Sequence, residues 1–463
     1  MNDIVWMNAA ELSAAFARGT LSPVEAARAI LARIEAADPA MNAFCHLDPE
    51  TTLAQAAESE ARWAKGAARS PIDGVPTSIK DLMWVKGWPC RYGSLAESDK
   101  PVPDDDPAVA FLRGAGVVLL GKTTTPEYGN SGVTDSPLTG LTRNPWDLGR
   151  TPGGSSGGAV AAVAAGCGPL ALGSDGGGSI RTPASFTNLV GHKPTFGRVP
   201  QAPGEHFGRL SASGPITHTV RDAAMMMNAM AHHAPMDWHS LPEDGVDHTA
   251  GLEDGVKHLR IAYSGDLGFS HVDPEIAAGC RRAIDVFRDA GASVEETDPG
   301  FPDPYGWFTD LWRGLSAEGS LDMEAGRRDK LGDKMRETSA SGATLSLEAY
   351  MRARRSRTQM IQVMQEFHRR FDLVVTPAAA VAAFPTGTES PPGWSMGTDN
   401  YETFPAPFNA TGEPAISVPC GFTAQGLPYG LQIAGRRRED ALVLRAARAF
   451  ERAVPLFDRH PPL

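Results

Sequence analysis

The chain has little that would staple it, hold it in a bilayer or draw it to a polyanion. Its five cysteines in 463 residues, Cys45, Cys90, Cys167, Cys280 and Cys420, are scattered, odd in number and without a C-x-x-C pair. That pattern excludes a disulfide framework and a zinc cluster, and predicts reduced, mostly buried small side chains. Acidic residues outnumber basic ones, 55 to 43, for a net charge of −12. No broad basic footprint for nucleic acid or an anionic membrane follows from that balance. The apolar run Ala159–Leu172 is too short to span a bilayer and is broken by glycine and Pro169. The opening MNDIVWMNAAELSAAF lacks a basic segment followed by an apolar one, so no signal peptide is expected and the cytoplasm is the expected location. The twelve histidines form no H-E-x-x-H, which argues against metal-assisted hydrolysis.

What the chain does have is apolar content of 42% and charged content of 21%, the balance of a globular protein with a large core. Glycine is abundant, 49 residues, and it concentrates in one stretch, Thr151–Pro194. Two small-residue clusters lie there, Gly153–Gly158 (GGSSGG) and Gly173–Ser179 (GSDGGGS), separated by an Ala/Val segment of high helix propensity. Glycine clusters admit backbone conformations closed to other residues, and successive unblocked N–H groups can converge on one anion. A serine ending such a run can share a site with an oxyanion hole. The apolar segments between the clusters argue against a flexible linker.

Two familiar patterns do not survive their context. Gly116–Thr123 satisfies G-x-x-x-x-G-K-T, but a phosphate loop needs a strand before it and a helix after it. Here the intervening residues are themselves an apolar strand, Pro126 follows, and Lys122 reads as a strand-end residue. Gly153–Gly157 satisfies G-x-S-x-G, but a nucleophile elbow needs a buried strand before it. The residues before it, Asp147–Pro152, are a polar loop, and no pattern selects a partner among His192, His206 and His218.

The two clusters together resemble the amidase signature family, whose hallmark is GGSSGG followed by G-(S/T)-D-x-G-G-S-(I/V)-R-x-P. Both parts are present, as Gly153–Gly158 and as Gly173–Pro183 (GSDGGGSIRTP), with Ser179 24 residues after Ser155, the family's spacing. Upstream, Gly74–Asp81 (GVPTSIKD) is similar to the family's G-(V/I)-P-x-x-x-K-D segment, and Gly412–Pro419 (GEPAISVP) extends the likeness downstream. The resemblance implies an α/β fold. One large domain, residues 1–463, would hold a mixed many-stranded sheet covered by helices on both sides. The signature core would span about 70–225, and helical and loop tracts on the substrate side about 300–405.

A serine hydroxyl needs a base, and with no histidine tied to the clusters a lysine is the candidate. Lys80 sits beside the apolar Ile79, Leu82 and Met83, and burial favours the neutral form a base requires. The resemblance assigns the roles. Ser179 is the nucleophile, and Ser155, on a cis peptide in the family, relays the proton between Ser179 and Lys80. Backbone N–H groups of Gly176, Gly177, Gly178 and Ser179 form the oxyanion hole, and Ser156, Asp175 and Arg181 hold the turn. The implied reaction is carboxamide hydrolysis through a serine acyl-enzyme, with no cofactor and no metal. The expected partner is a small-molecule amide substrate, with no nucleic acid and no membrane; a homodimer is left open. Two alternatives stand beside this reading. One is the glutaminase subunit of a tRNA-dependent amidotransferase. Against it, the chain lacks the R-Y-D-G-type segment expected there, and its Gly197–Ser213 tract looks more like the stand-alone amidases. The other is a non-catalytic binding protein on the same fold.

The remaining sequence supplies elements and a pocket. Ser22-Pro23-Val24-Glu25 is a capping box that starts a helix to about Ala37. Helices are expected over Thr51–Lys65, from Asp106-Pro107 to Gly114, over Arg221–His232 and Pro274–Ala290, through most of Trp307–Met364, and over Asp440–Ala453. Strands are expected at Ile72–Ser78, Val117–Leu120, Leu259–Tyr263, Ser293–Thr297, Leu373–Thr376, Ile416–Val418 and Gly430–Ala434. Pro385–Thr403, with Trp394, reads as a mobile loop near the site. Trp84, Trp88, Tyr92, Trp307, Trp312 and Trp394 are candidates for an apolar or aryl pocket, or for the core.

Overall fold

Short apolar runs bounded by glycine and proline give strands too brief to stand alone, so they are stable only side by side. The computed structural model describes residues 4–202, 208–394 and 400–463. In it the strands are β1 (Phe44–Leu47), β2 (Pro76–Lys80), β3 (Val118–Thr123), β4 (Asp135–Ser136), β5 (Gly140–Leu141), β6 (Leu170–Asp175) and β7 (Val190–Lys193), followed by β8 (Ala212–Thr217), β9 (Arg260–Tyr263), β10 (Ser293–Glu296), β11 (Leu373–Pro377), β12 (Ala415–Phe422) and β13 (Pro428–Gly435). Eleven of them form one mixed sheet in the order β1-β3-β2-β6-β8-β7-β12-β13-β11-β9-β10; β4 and β5 pair separately. The fold is α/β, a single domain with helices flanking a large mixed sheet.

The alternation of side chains along each strand decides what lies on each face. Leu170 and Leu172 of β6, and Leu431 and Ile433 of β13, join the largest core cluster. Their neighbours Ala171 and Ala434 point to the other face. That face is small, so two short helices from the glycine-rich region, Gly157–Ala164 and Arg181–Phe186, lie against it, and every residue of both is buried. A Cβ on Gly158 would run into the Thr124 backbone nitrogen, so the first helix docks this closely only with glycine there.

The strand register brings the signature segments together. β2 and β6 are parallel neighbours, with Ile79 opposite Leu172. Lys80, at the carboxyl end of β2, therefore lies beside Ser174 and Asp175 at the carboxyl end of β6. Sites at the carboxyl ends of parallel strands are the rule in α/β sheets.

Most expected elements are present with ends moved by a few residues. The capping box at Ser22 forms and opens a helix over Pro23–Met41, and the terminal helix runs over Asp440–Ala453. β9 and β10 are parallel, as the β-α-β pattern predicts. The helix expected over Pro274–Ala290 is interrupted at Ile284, whose N–H bonds the Arg281 carbonyl three residues back. Val118–Thr123 is a buried strand that includes Lys122, so the phosphate-loop pattern is strand and not loop. β1, β4, β5, β6, β7 and β8 are additional to the expected strands. The expected mobile loop, Pro385–Thr403, falls in part on 395–399, and the Gly197–Ser213 tract and His206 in part on 203–207, outside the described residues. Among the described residues no helix is long and apolar enough to cross a membrane. All five cysteines are free.

Candidate active site

The second glycine cluster forms a turn between β6 and the Arg181–Phe186 helix, with Ser179 near its end. Asp175 organises it. Its carboxylate accepts from the N–H groups of Gly178 (2.8 Å) and Ile180 (3.2 Å), and from Arg181 Nε and Nη2, both at 2.9 Å. Arg181 is fully buried, yet its other donors are satisfied. Nη1 reaches the Pro405 carbonyl (3.0 Å) and Gln432 Oε1 (2.7 Å), and Nη2 reaches Asn409 Oδ1 (2.6 Å). Asn409 returns a donor to the Asp175 carboxylate at 2.9 Å. Burial alone would raise the Asp175 pKa, but the charge and hydrogen bonds of Arg181, with Lys193 and Asn409, together outweigh it and hold the carboxyl below the usual carboxylate range. Gly178 has φ +135°, and a Cβ there would sit 2.9 Å from Pro405 Cβ, so the turn requires glycine.

The first cluster places Ser155 just before the Gly157–Ala164 helix, on a cis Gly154–Ser155 peptide. Lys80 Nζ donates to Ser155 Oγ at 2.6 Å and to Ser174 Oγ at 3.1 Å, and lies 3.3 Å from the Ser174 carbonyl. Lys80 is completely buried and, among the described residues, has no carboxylate paired with it. Burial pushes its pKa down to about 7, with Asp175 opposing the shift from further away. Lys122 is the contrast. It is equally buried, but its ion pair with Asp81 (2.9 Å) outweighs burial and keeps it protonated. The lowered Lys80 pKa thus reflects its environment and not burial alone.

Ser179 is tied to the same turn through its carbonyl, which accepts from the Ser156 N–H at 3.2 Å, while Ser156 Oγ donates to the Ser174 carbonyl. No hydrogen bond joins the Ser155 and Ser179 hydroxyls among the described residues. Of the four N–H groups expected to form an oxyanion hole, that of Gly178 donates to the Asp175 carboxylate within the turn. The N–H groups of Gly176, Gly177 and Ser179 have no acceptor among the described residues.

Ser179 and Gly177 open onto a cavity of 400 Å³. One wall is the Tyr305–Glu318 helix, with Phe308 and Trp312 stacked at 6.2 Å between ring centroids. Cations near the mouth are neutralised: Arg313 pairs with Asp310 and Lys334 with Glu389. By exposed area the lining is mostly apolar, but polar residues are spread through it, among them Asn130, Asp303, Glu337, Asn400 and the half-buried Glu402. Of the six aromatic candidates, Trp312 lines the cavity. Trp88 is core and donates to Asp48, Trp84 donates to the Tyr92 hydroxyl, Trp307 packs into apolar clusters, and Trp394 stacks on His271. His192 and His218 are buried away from the serines, His192 beside Asp440. Sequence reasoning missed Ser174, Asn409, Gln432, Asn130 and Phe308; only Ser174 lay inside a recognisable motif.

A sequence model of the amidase family matches residues 25–444. The chain belongs to the amidase family. An acylamidase of Rhodococcus erythropolis is 40% identical over 468 residues, covering 98% of this chain and 97% of that protein. One subunit of the glutamyl-tRNA(Gln) amidotransferase of Chloroflexus aggregans is 36% identical, covering 100% and 99%. Among solved structures, a bacterial aryl acylamidase of the amidase signature family superposes with a TM-score of 0.89 at 32% identity, covering 97% of this chain and 96% of that one. Amide hydrolysis is the chemistry of this amidase.

Proposed function

We propose that this amidase hydrolyses small, largely apolar amides, anilides among them, through an acyl-enzyme on Ser179, with Ser155 and Lys80 as proton relay and base. The observation that carries the reading is the buried 2.6 Å contact between Lys80 and Ser155, one turn away from a serine that faces an aromatic-walled cavity. Ser179 Oγ bonds to the carbonyl carbon as its proton passes to Ser155 Oγ, whose own proton passes to Lys80 Nζ. The N–H groups of Gly176, Gly177 and Ser179 receive the oxyanion. The C–N bond then breaks as Lys80 returns the proton through Ser155 to the leaving nitrogen. Water attacks the acyl-enzyme along the same relay. The gap between the two hydroxyls closes when substrate is bound, as catalytic hydrogen bonds commonly do.

The substrate test is a panel of aliphatic amides, anilides and glutamine assayed with the purified chain alone. Anilides and apolar amides are expected to have the highest kcat/KM. Glutamine as the preferred substrate would overturn the reading in favour of the glutaminase role, which the 36% identity to the amidotransferase relative keeps in view.

The pH profile tests the base. Lys80 accepts a proton only when neutral, and its pKa is pushed down to about 7. kcat/KM is expected to be flat above that value and to fall about tenfold per pH unit below it. Burial also raises Glu402, on the cavity wall, to about 7. Glu402→Gln separates the two: the acid limb stays if Lys80 produces it, and its disappearance would assign the limb to the carboxyl.

A further inference from the structure

The Tyr305–Glu318 helix has two lined faces. Phe308 and Trp312 face the cavity that holds Ser179, whereas Leu311, Leu315 and Glu318 line a separate groove of 810 Å³. Across the groove the Leu347–Phe367 helix lays Tyr350, Arg354, Arg357 and Ile361 along one side at helical spacing. Arg209 and Arg437 complete it from two other segments. The proposed reaction uses none of these four arginines.

Charge sets the groove apart. In a chain of net charge −12, four arginines share one concavity, and among the described residues none of them is ion-paired. Arg357 donates to the carbonyls of Ala410 and Arg209, both at 2.7 Å, Arg437 reaches the Phe196 carbonyl at 3.5 Å, and Arg209 lies over the Trp238 ring at 5.8 Å. Burial, then the charges of Arg209, Arg354 and Arg437, push Arg357 down to about 10 despite Tyr350. Two carboxylates also face the groove. Asp237 is occupied by the N–H groups of Gln201 and His239, both at 2.9 Å, and Glu318 is exposed at the far helix end. Positive charge is left over, in guanidinium forks whose shape suits paired anionic oxygens. Beside them are apolar surfaces: Leu311, Leu315 and Ile361, and at the rim Trp238, 79% exposed. The volume falls within the usual range for small ligands, about 300–1,000 Å³.

We propose that this groove binds a small organic anion with two or more negative charges, on phosphate or carboxylate groups, and an apolar body. Its occupant presses on a helix whose other face is the catalytic wall, so binding changes KM for the amide more than kcat.

Thermal shift and calorimetry with chosen probes test it. ATP carries charge and a ring, benzene-1,2,4-tricarboxylate is its carboxylate counterpart, tripolyphosphate has charge alone and adenosine a ring alone. At ten times Kd, ATP or the tricarboxylate is expected to raise Tm by about 1.5 °C. The stronger of the two identifies the anionic group; tripolyphosphate acts more weakly, adenosine not at all, and added salt weakens every response. Arg354→Glu and Arg437→Glu, both at exposed positions, are expected to keep the fold and the basal amide turnover while losing at least tenfold in anion affinity. No response to either ringed anion, or a response that survives both substitutions, would overturn the proposal. An equal response to tripolyphosphate would overturn its apolar half.

Discussion

Ser179→Ala is expected to abolish turnover of amides and of activated esters alike, and to leave the melting temperature close to that of the wild type. The side chain faces the cavity and no other side chain depends on its hydroxyl, so its loss removes no core packing. Without that oxygen no acyl-enzyme forms, and a fluorophosphonate that adds mass at Ser179 in the wild type adds none to the variant. Ser155→Ala behaves differently. An amine leaves badly without a proton, whereas a phenolate needs it less, and general acid–base assistance is worth about 10²–10⁴-fold. The expected result is a loss of that order on an amide and a markedly smaller one on the ester sharing its acyl group. Equal losses on both, with the fold intact, would leave Ser155 as a turn residue. Labelling at Ser155 instead of Ser179 would exchange the two roles.

Arg181→Met is expected to destabilise the protein by about 3–5 kcal/mol, because removing one partner of a buried ion pair strands the other. The stranded group is Asp175, which would keep one Asn409 donor and the turn's N–H groups but lose the guanidinium that holds it ionised. Gln432 Oε1 and the Pro405 carbonyl would lose their donors as well. Arg181→Lys is not expected to restore stability, since one ammonium cannot reproduce a planar fork with four separate acceptors. Urea denaturation measures both. A cost below about 1 kcal/mol for Arg181→Met would mean that the turn stands without its clamp.

The residues proposed to carry the chemistry were legible because their constraints are local. Lys80, Ser155 and Ser179 sit in motifs whose glycines are demanded by positive φ at Gly74 and Gly178 and by close packing at Gly158. Ser22 and Glu25 announced a helix start for the same kind of reason, since each bonds the other's backbone. What stayed hidden depends on distant chain. β6 reads LALGSD, and glycine and serine argue against a strand until β2 and β8 flank it. Asn409 and Gln432 have ordinary surroundings in sequence and become part of the turn only through Arg181. The four adjacent N–H groups of the second cluster show the limit within a motif: they look alike in sequence, and only the folded carboxylate of Asp175 sets Gly178 apart from the rest.

The clamp on the catalytic turn also sets a schedule for synthesis. Gln432 lies 251 residues after Arg181. At about 5–20 residues per second, Arg181 emerges from a ribosome roughly 13–50 s before the last group that satisfies it. β7 likewise waits for β12, its neighbour in the finished sheet. Through that interval a nascent chain carries Lys80, Ser155 and Ser179 but has no partner for the Arg181 donors that Asn409 and Gln432 will later accept. The turn is therefore completed from the carboxyl-terminal end, and a chain stopped before Gln432 is expected to lack amide turnover although Lys80, Ser155 and Ser179 are all present in it.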